Sequence, residues 1–257
     1  RAMPFFLDIN EDNYINYTLA WAQKFGWMWQ IPTQERIGAG YVYCDQFISP
    51  DQAQEEIEKV LGHKIEPRRD IKFNSGRLEK YWVKNCLAIG LSSGFLEPLE
   101  ATSIHSTLVQ LILFASEYLK KEMDFNDDTK KLDFNNRIGR QFDDVKTFFN
   151  MHYVSKRRDS KFCEYVSDEC ISDETKKLIS LWQDELPSLD HFDDYLSGLP
   201  HVKSQLYYHV VDGLGLLNKE SARDQMSKYD LRSTSRKFYN EFSEKFNFSK
   251  KMKTESA

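Results

Sequence analysis

The chain has no CxxC pair, no cysteine with a histidine at zinc spacing, no face on which basic residues gather, and no apolar run long enough to cross a bilayer. Its four cysteines, Cys44, Cys86, Cys163 and Cys170, are scattered, which reads as reduced thiols of a cytoplasmic protein and argues against a metal site. The longest strongly apolar stretch, Leu108 to Ala115, is interrupted by Gln110 and is far too short to span a membrane. No signal peptide is visible. Lysine and arginine (35) and aspartate and glutamate (40) are interspersed and sum to a net charge of -5. That balance excludes the electrostatic footprint of a nucleic-acid binder. The basic residues of the tail, Lys250, Lys251 and Lys253, read as a solvated terminus. There is neither a repeat of fixed period nor a low-complexity segment, and nothing signals an oligomeric state.

What is present is an ordinary globular balance, 40% hydrophobic and 29% charged, in 257 residues, enough to bury a sizeable core without staples. Aromatic residues are abundant at 14%, with five Trp and thirteen Tyr. Clustered aromatics line planar-ligand sites in some proteins and form the core in most. After Arg1-Ala2-Met3-Pro4 the chain runs at once into Phe5-Phe6-Leu7, which resembles an interior strand and reads either as the start of a truncated chain or as a processed end. Alternation over Trp27, Trp29 and Ile31, then over Ile37, Tyr41 and Tyr43, predicts a hairpin from Trp27 to Cys44. Gly38 and Gly40 in its second strand mark a place where backbone or ligand approaches closely. Ser49-Pro50-Asp51 starts a helix that stops at Gly62. Ile71 and Phe73, a turn at Asn74-Ser75-Gly76, and Leu78, Tyr81 and Val83 read as a second hairpin. Cys86 to Leu91 reads as a strand buried on both faces.

From about Thr102 the pattern becomes helical: Ile104, Leu108, Leu111, Ile112, Ala115 and Leu119 recur at helix spacing. Further helices are expected over Phe142 to Tyr153, Asp173 to Glu185, His201 to Leu217 and Ser233 to Phe246. The expected organisation is an α+β body with a β-rich part over residues 1–101, a helical part over 102–249 and a flexible tail over 250–257. Exposed sheet edges in such an isolated chain make it aggregation-prone.

Four segments carry a family resemblance. Gly26-Trp27-Met28-Trp29-Gln30-Ile31-Pro32 matches a WxWxIP motif, and Gln34-x-Arg36-x-Gly38-x-Gly40-Tyr41-Val42-Tyr43 resembles the strand that follows it. Asn85-Cys86-Leu87-Ala88-Ile89-Gly90, running on through Gly94-Phe95-Leu96-Glu97-Pro98-Leu99-Glu100-Ala101-Thr102, is the third, and His152-Tyr153 with Arg157-Arg158-Asp159-Ser160-x-Phe162 is the fourth. In the last, Cys163 stands where Trp is usual. Together these resemble the C-terminal half of flavin-dependent tryptophan-type halogenases, over roughly residues 14 to 165.

The resemblance implies the C-terminal portion of a two-domain, flavin monooxygenase-like fold. It implies halogenation of a small aromatic substrate of indole or phenol type, using reduced FAD from a separate flavin reductase, oxygen and halide. Glu100 is the implied catalytic carboxylate, orienting the oxidant beside a lysine that lies outside this sequence and taking up the ring proton. Thr102 and Ser103 would hold the halide at a helix start, and Leu91 and Ile104 would touch the flavin ring system. Trp27, Trp29, Ile31 and Pro32 would separate flavin from substrate. The family commonly shows Ser-Thr-Gly after its glutamate, whereas here Ala101-Thr102-Ser103 follows.

Without the resemblance, Glu100 reads as a helix-start carboxylate and the tryptophans as core. Glu97 reads as a loop-shaping residue, His152 as a core histidine donating to a carbonyl, and Tyr207-Tyr208-His209 as a helix face packed on the core. Two other functions stay open here. One is an aromatic monooxygenase transferring oxygen directly, against which Trp27 and Trp29 count. The other is a truncated non-catalytic module, since the turn that supplies a dinucleotide's pyrophosphate site lies outside this sequence and the isolated chain is expected to be inactive.

Overall fold

The computed structural model of the chain describes residues 1–9, 15–119, 124–192, 202 and 204–228. The expected helix over Ser233 to Phe246 and the tail over 250–257 lie outside the described residues. The chain divides into two compact units, one built on Arg1–Ser172 and one beginning at Asp173. The change from strands to helices near residue 102 falls inside the first unit.

The first unit begins with a four-stranded antiparallel sheet of β1 (Ala2–Asp8), β2 (Leu19–Ala22), β3 (Gly26–Pro32) and β4 (Arg36–Tyr43), in the order β1-β4-β3-β2. Because side chains alternate along a strand, Met3, Phe5 and Leu7 share one face with Ile37, Ala39, Tyr41 and Tyr43. This face is closed by α1 (Pro50–Leu61) through Ala53 and Ile57, with Ile48 and Ile65 at its margins. The expected β3–β4 hairpin is present. So are the helix signals: the Ser49 hydroxyl accepts from the Gln52 N–H, the Gln52 side chain accepts from the Ser49 N–H, and Gly62 ends the helix at φ 78°. The apolar run read as an interior strand is β1, at one edge of the sheet, where its outer side is partly covered by a bridge between Ala2 and Ile71. Phe6 points to the other face and stays exposed, beneath the Arg36 guanidinium at 3.6 Å from its ring centre.

Residues 71–91 depart from expectation. No hairpin joins Ile71–Phe73 to Leu78–Val83. Instead β5 (Gly76–Arg77) pairs with β8 (Gly94–Phe95), and β6 (Trp82–Val83) with β7 (Cys86–Leu87). The reason is that consecutive residues Tyr81 and Trp82 are both buried, which an alternating strand on one core cannot achieve. Both insert into a helical cluster instead. Cys86 to Leu91 is likewise not a doubly buried strand: Cys86 is exposed, Gly90 takes φ 65°, and a 3-10 turn over Gly90–Ser92 leaves Leu91 73% exposed.

That helical cluster joins Tyr81 and Trp82 to Leu113 and Tyr118, and to Phe134, Ile138 and Phe142 of α3 (Asp128–His152). The rings meet mostly edge to face, as their quadrupoles favour. Asn135 locks the arrangement: its side-chain oxygen accepts from the Tyr81 and Trp82 N–H groups at 2.7 and 2.8 Å, and its amide donates to the Trp82 carbonyl at 3.1 Å. Helix α3 begins well before the expected Phe142, because Asp127 caps it and Phe134 and Ile138 extend its apolar face toward that cap. The helix expected from Thr102 is α2 (Thr102–Leu113), continued by a π-helical turn over Phe114–Tyr118. After α3, the segment through α4 (Lys161–Glu169) is fastened to the β2–β3 turn: Arg157 donates to the Gln23 carbonyl, and Ser160 and Cys163 both donate to the Lys24 carbonyl. The RxDxxF segment is thus a structural staple.

In the second unit, α5 (Asp173–Leu181) and α6 (Ser204–Gly213) end earlier than the periodicity predicts, and α7 (Lys219–Lys228) is a helix the periodicity does not predict. Trp182 packs against Phe192 and the fully buried Tyr207 there, and its indole donates to His191 at 3.0 Å.

Asn135→Ala leaves two buried N–H groups and a carbonyl unpaired, so it should lower unfolding stability by about 2–4 kcal/mol in isothermal denaturation. A loss near zero would contradict the locking role. Helix α2 leaves Ile104, Leu108, Leu111 and Ile112 at least 45% exposed, an apolar face that should make the isolated chain self-associate. Leu108→Glu with Ile112→Lys should shift sedimentation toward the monomer, and an unchanged profile would exonerate that face.

Candidate active site

Strand β3 sets the first wall. Trp27, Trp29 and Ile31 share one face of the sheet, opposite Val42, Gly40 and Gly38 of β4, while Pro32 falls on the alternate face opposite Ile37. The Trp29 indole lies directly over Gly40: a Cβ there would sit 2.1 Å from two of its ring atoms. This is the close approach that the glycine signalled. Gly38 meets nothing so near. Trp27 is buried and packs on Trp29 with ring centres 6.1 Å apart, whereas Ile31 is exposed.

The second wall is the loop from Gly90 to α2. Gly94 admits no side chain, because a Cβ would meet the Gly76 carbonyl and the Phe142 ring at 2.9 Å. Buried Gln110 of α2 accepts from the Gly90 N–H at 3.1 Å and donates to the Ser93 hydroxyl at 3.1 Å, and Ser93 donates to the Gly90 carbonyl at 2.6 Å. After Pro98 and buried Leu99, Glu100 and Ala101 take φ values of 58° and 51°. Two consecutive left-handed residues that are not glycine cost about 1–2 kcal/mol each. Ser103, standing where the family commonly has glycine, lies inside α2 without positive φ, so nothing in its backbone requires glycine.

The corner directs Glu100 toward the end of α3. The His152 Nδ1 lies 2.9 Å from the Phe148 carbonyl and its Nε2 lies 3.2 Å from Glu100 Oε1. A carbonyl only accepts, so Nδ1 carries a proton, and a second proton must then lie between Nε2 and the carboxyl oxygen. The hydrogen bond from His152 holds the Glu100 carboxyl below the usual range against the opposing effect of burial. Three residues earlier, Glu97 Oε2 accepts from the Tyr153 hydroxyl at 2.8 Å and from the Trp27 indole at 3.3 Å. Burial pushes the Glu97 carboxyl up, and the two hydrogen bonds only partly offset it. Burial and the neighbouring carboxylate raise the Tyr153 hydroxyl well above its ordinary value.

At the start of α2, no side chain caps the helix N-terminus, which leaves its first N–H groups and positive dipole end to other partners. A cavity of about 20 Å³ lies beside it, lined by Gly90, Gly94, Glu97, Thr102, Ser103 and Thr107 among others. That is room for one water-sized body. Leu91, on the 3-10 turn that packs against α2, and Ile104 in its first turn are 73% and 74% exposed.

The structure therefore gathers Glu100, Thr102 and Ser103 at one corner, and ties Trp27 to the same loop through Glu97. Trp29 and Ile31 stay on the sheet face, and nothing places Pro32 beside the loop. His152 combines the expected donation to a carbonyl with a contact to Glu100. Sequence reasoning missed Gln110, Ser93 and Tyr153. The available signal was a glutamine inside an apolar helical run, since a buried amide must be satisfied. Among the described residues, no group of three or more His, Cys, Asp or Glu could hold a metal ion, and no helix is long and apolar enough to cross a membrane.

Comparison with known proteins identifies the family. The family model for tryptophan halogenases matches residues 1–228, and the chain belongs to that family. It is 34% identical over 216 residues to the tryptophan 6-halogenase SttH of Streptomyces toxytricini, a match covering 82% of this chain and 40% of the relative. It is 32% identical over 213 residues to the tryptophan 7-halogenase RebH of Lentzea aerocolonigenes, covering 78% and 40%. The chain thus spans about 40% of the length of these relatives. The crystal structure of SttH superposes with a TM-score of 0.76 over 91% of this chain and 46% of that one, at 26% identity. BrvH, a flavin-dependent halogenase from Brevundimonas sp. BAL3, gives 0.69 over 91% and 47%, at 32% identity.

Because the folded-state Glu100 carboxyl is depressed, the pair's contribution to stability is present above the ordinary glutamate value of about 4.3 and is lost as pH falls through the lower, folded value. His152→Gln should move the Glu100 titration, followed by carboxyl carbon NMR, upward to the ordinary range. An unmoved midpoint would show that His152 does not set it.

Proposed function

We propose that this chain is the part of a flavin-dependent halogenase that supplies the catalytic carboxylate, acting on an aromatic substrate of indole or phenol type. The observation that carries the reading is Glu100 on its left-handed corner, paired with His152 and followed at once by an uncapped helix start. Such a carboxylate attracts the cationic ring formed when a halogen adds to an aromatic carbon, then takes the proton that the same carbon loses. Fixing its position before the charge develops lowers the reorganisation the reaction must make.

Thr102 and Ser103 hold the halide, a substrate here, at the positive end of α2. The small cavity and the missing side-chain cap support that role. FAD, delivered in reduced form by a separate flavin reductase, supplies the activation of oxygen that oxidises the halide. The residues present fit its ring system: Leu91 and Ile104 offer exposed apolar side chains on packed elements, as contacts to a flat ring require. Trp27 and Trp29 form the wall between flavin and substrate that keeps the two from reacting directly, and Ile31 and Pro32 extend the strand that carries it. The whole belongs to a two-domain, flavin monooxygenase-like fold, with the nucleotide-binding fingerprint and the lysine in the part of the relatives' length this chain does not cover. By itself the chain does not turn over.

The test is an assay of a polypeptide carrying this chain together with that remaining part, with a reductase, FAD, chloride or bromide, and a panel of indoles and phenols. Glu100→Gln should lower halogenated product by about 10²–10⁴-fold. Product that is hydroxylated and indifferent to halide would instead identify a monooxygenase, and unchanged halogenation would remove Glu100 from the mechanism.

A further inference from the structure

Two glutamates three residues apart meet two consecutive residues at the end of α3. Glu100 meets His152, and Glu97 meets Tyr153. Only Glu97 also reaches the sheet, because its Oε2 accepts from the Trp27 indole as well. A single carboxylate oxygen therefore joins three elements far apart in sequence: strand β3, the Gly94–Ala101 loop and the end of α3. Both partners are donors in this arrangement, since an indole N–H can only donate and the phenol proton has the carboxylate in reach.

We propose that Glu97 is a positioning residue: its carboxylate holds the Trp27 indole and the Tyr153 hydroxyl against the loop, and so fixes the corner on which Glu100 stands. Three observations support this beyond the distances. The left-handed pair Glu100–Ala101 persists only if its surroundings over-determine it, and Glu97 enters that loop just before Pro98. Tyr153 is the neighbour of His152, so anchoring one fixes the backbone that aims the other. Charge-assisted bonds of this type are stronger than neutral ones, and the carboxylate's hydrogen-bond partners among the described residues are the Trp27 indole and the Tyr153 hydroxyl. The anchoring claim stands on geometry alone, while its catalytic consequence rests on the halogenase reading above.

The experiment labels the tryptophans of the chain with ¹⁵N and follows their indole N–H signals. Five are expected, with that of Trp27 assigned through Trp27→Phe. In Glu97→Ala the Trp27 signal should move upfield and exchange with water about tenfold faster or more, as loss of a charged hydrogen bond predicts, while the signals of Trp21, Trp82 and Trp182 stay. A folded Glu97→Ala chain with an unmoved Trp27 signal overturns the proposal. Should that variant fail to fold, as collapse of all the signals would reveal, Glu97→Gln decides: its amide oxygen keeps the shape without the charge, so a shift of the Trp27 signal with Trp21, Trp82 and Trp182 unmoved is expected, and an unmoved Trp27 signal overturns it. In the halogenating polypeptide, Glu97→Gln should lower kcat about tenfold with KM unchanged, as a misplaced but intact group does. A moved indole signal with unchanged kcat would leave the anchor and overturn its service to catalysis. A wild type that does not halogenate at all would remove the halogenase reading, with the NMR outcome still deciding the anchor.

Discussion

The first unit is organised around a backbone that does not hold itself. A left-handed residue with a Cβ crowds its own carbonyl, and Glu100 and Ala101 do this in succession. Relaxation is prevented from several sides: Leu99 is buried below the corner, Pro98 restricts the approach, and α2 departs from the other end. Gln110 and Ser93 fix the neighbouring turn through a closed set of buried hydrogen bonds, so the loop cannot slide along the helix. The end of α3 then meets both glutamates.

Three glutamates show how the same group acquires different properties from its surroundings. Glu58 accepts from Lys64, Gln54 and the Ile65 N–H, and its carboxyl drops to about 2. That is a carboxylate committed to holding the end of α1. Glu100 is lowered by one histidine while remaining half open to solvent, which keeps it ionised and reachable. Glu97 is raised by burial against two neutral donors. Partner identity and access to water separate a lowered, fully bonded carboxylate, a lowered, half-open one and a raised, buried one.

Where the sequence was legible, local chemistry and tertiary packing agreed. Ser49, Pro50 and Gly62 each act within one helical turn, and the alternation of β3 and β4 matches the register in which the two strands pair, so α1 and the hairpin could be read directly. The glycine at position 40 was read as a close approach, and an indole fills that space. Residues 71–91 were illegible because Tyr81 and Trp82 obey neither period: they are drawn into a cluster whose other members lie beyond residue 110. The early start of α3 was hidden for the same reason, since the apolar face of its first half packs on that cluster. The corner at Glu100 could be located only through family resemblance, because no local rule predicts left-handed backbone at a glutamate followed by an alanine. Gln110, Glu97 and Tyr153 needed the partners that only folding supplies.

The staple between α4 and the β2–β3 turn has a consequence for how this surface can change. Arg157, Ser160 and Cys163 reach residues 23 and 24 only through main-chain carbonyls. Carbonyl recognition is blind to the side chain attached. Lys24 is exposed and keeps its place in the staple whatever residue type it becomes, short of one that alters the turn. The outer tip of the hairpin can therefore exchange the Lys24 side chain, and with it the surface charge, while the carbonyl contacts that hold the tryptophan-bearing strand behind it remain.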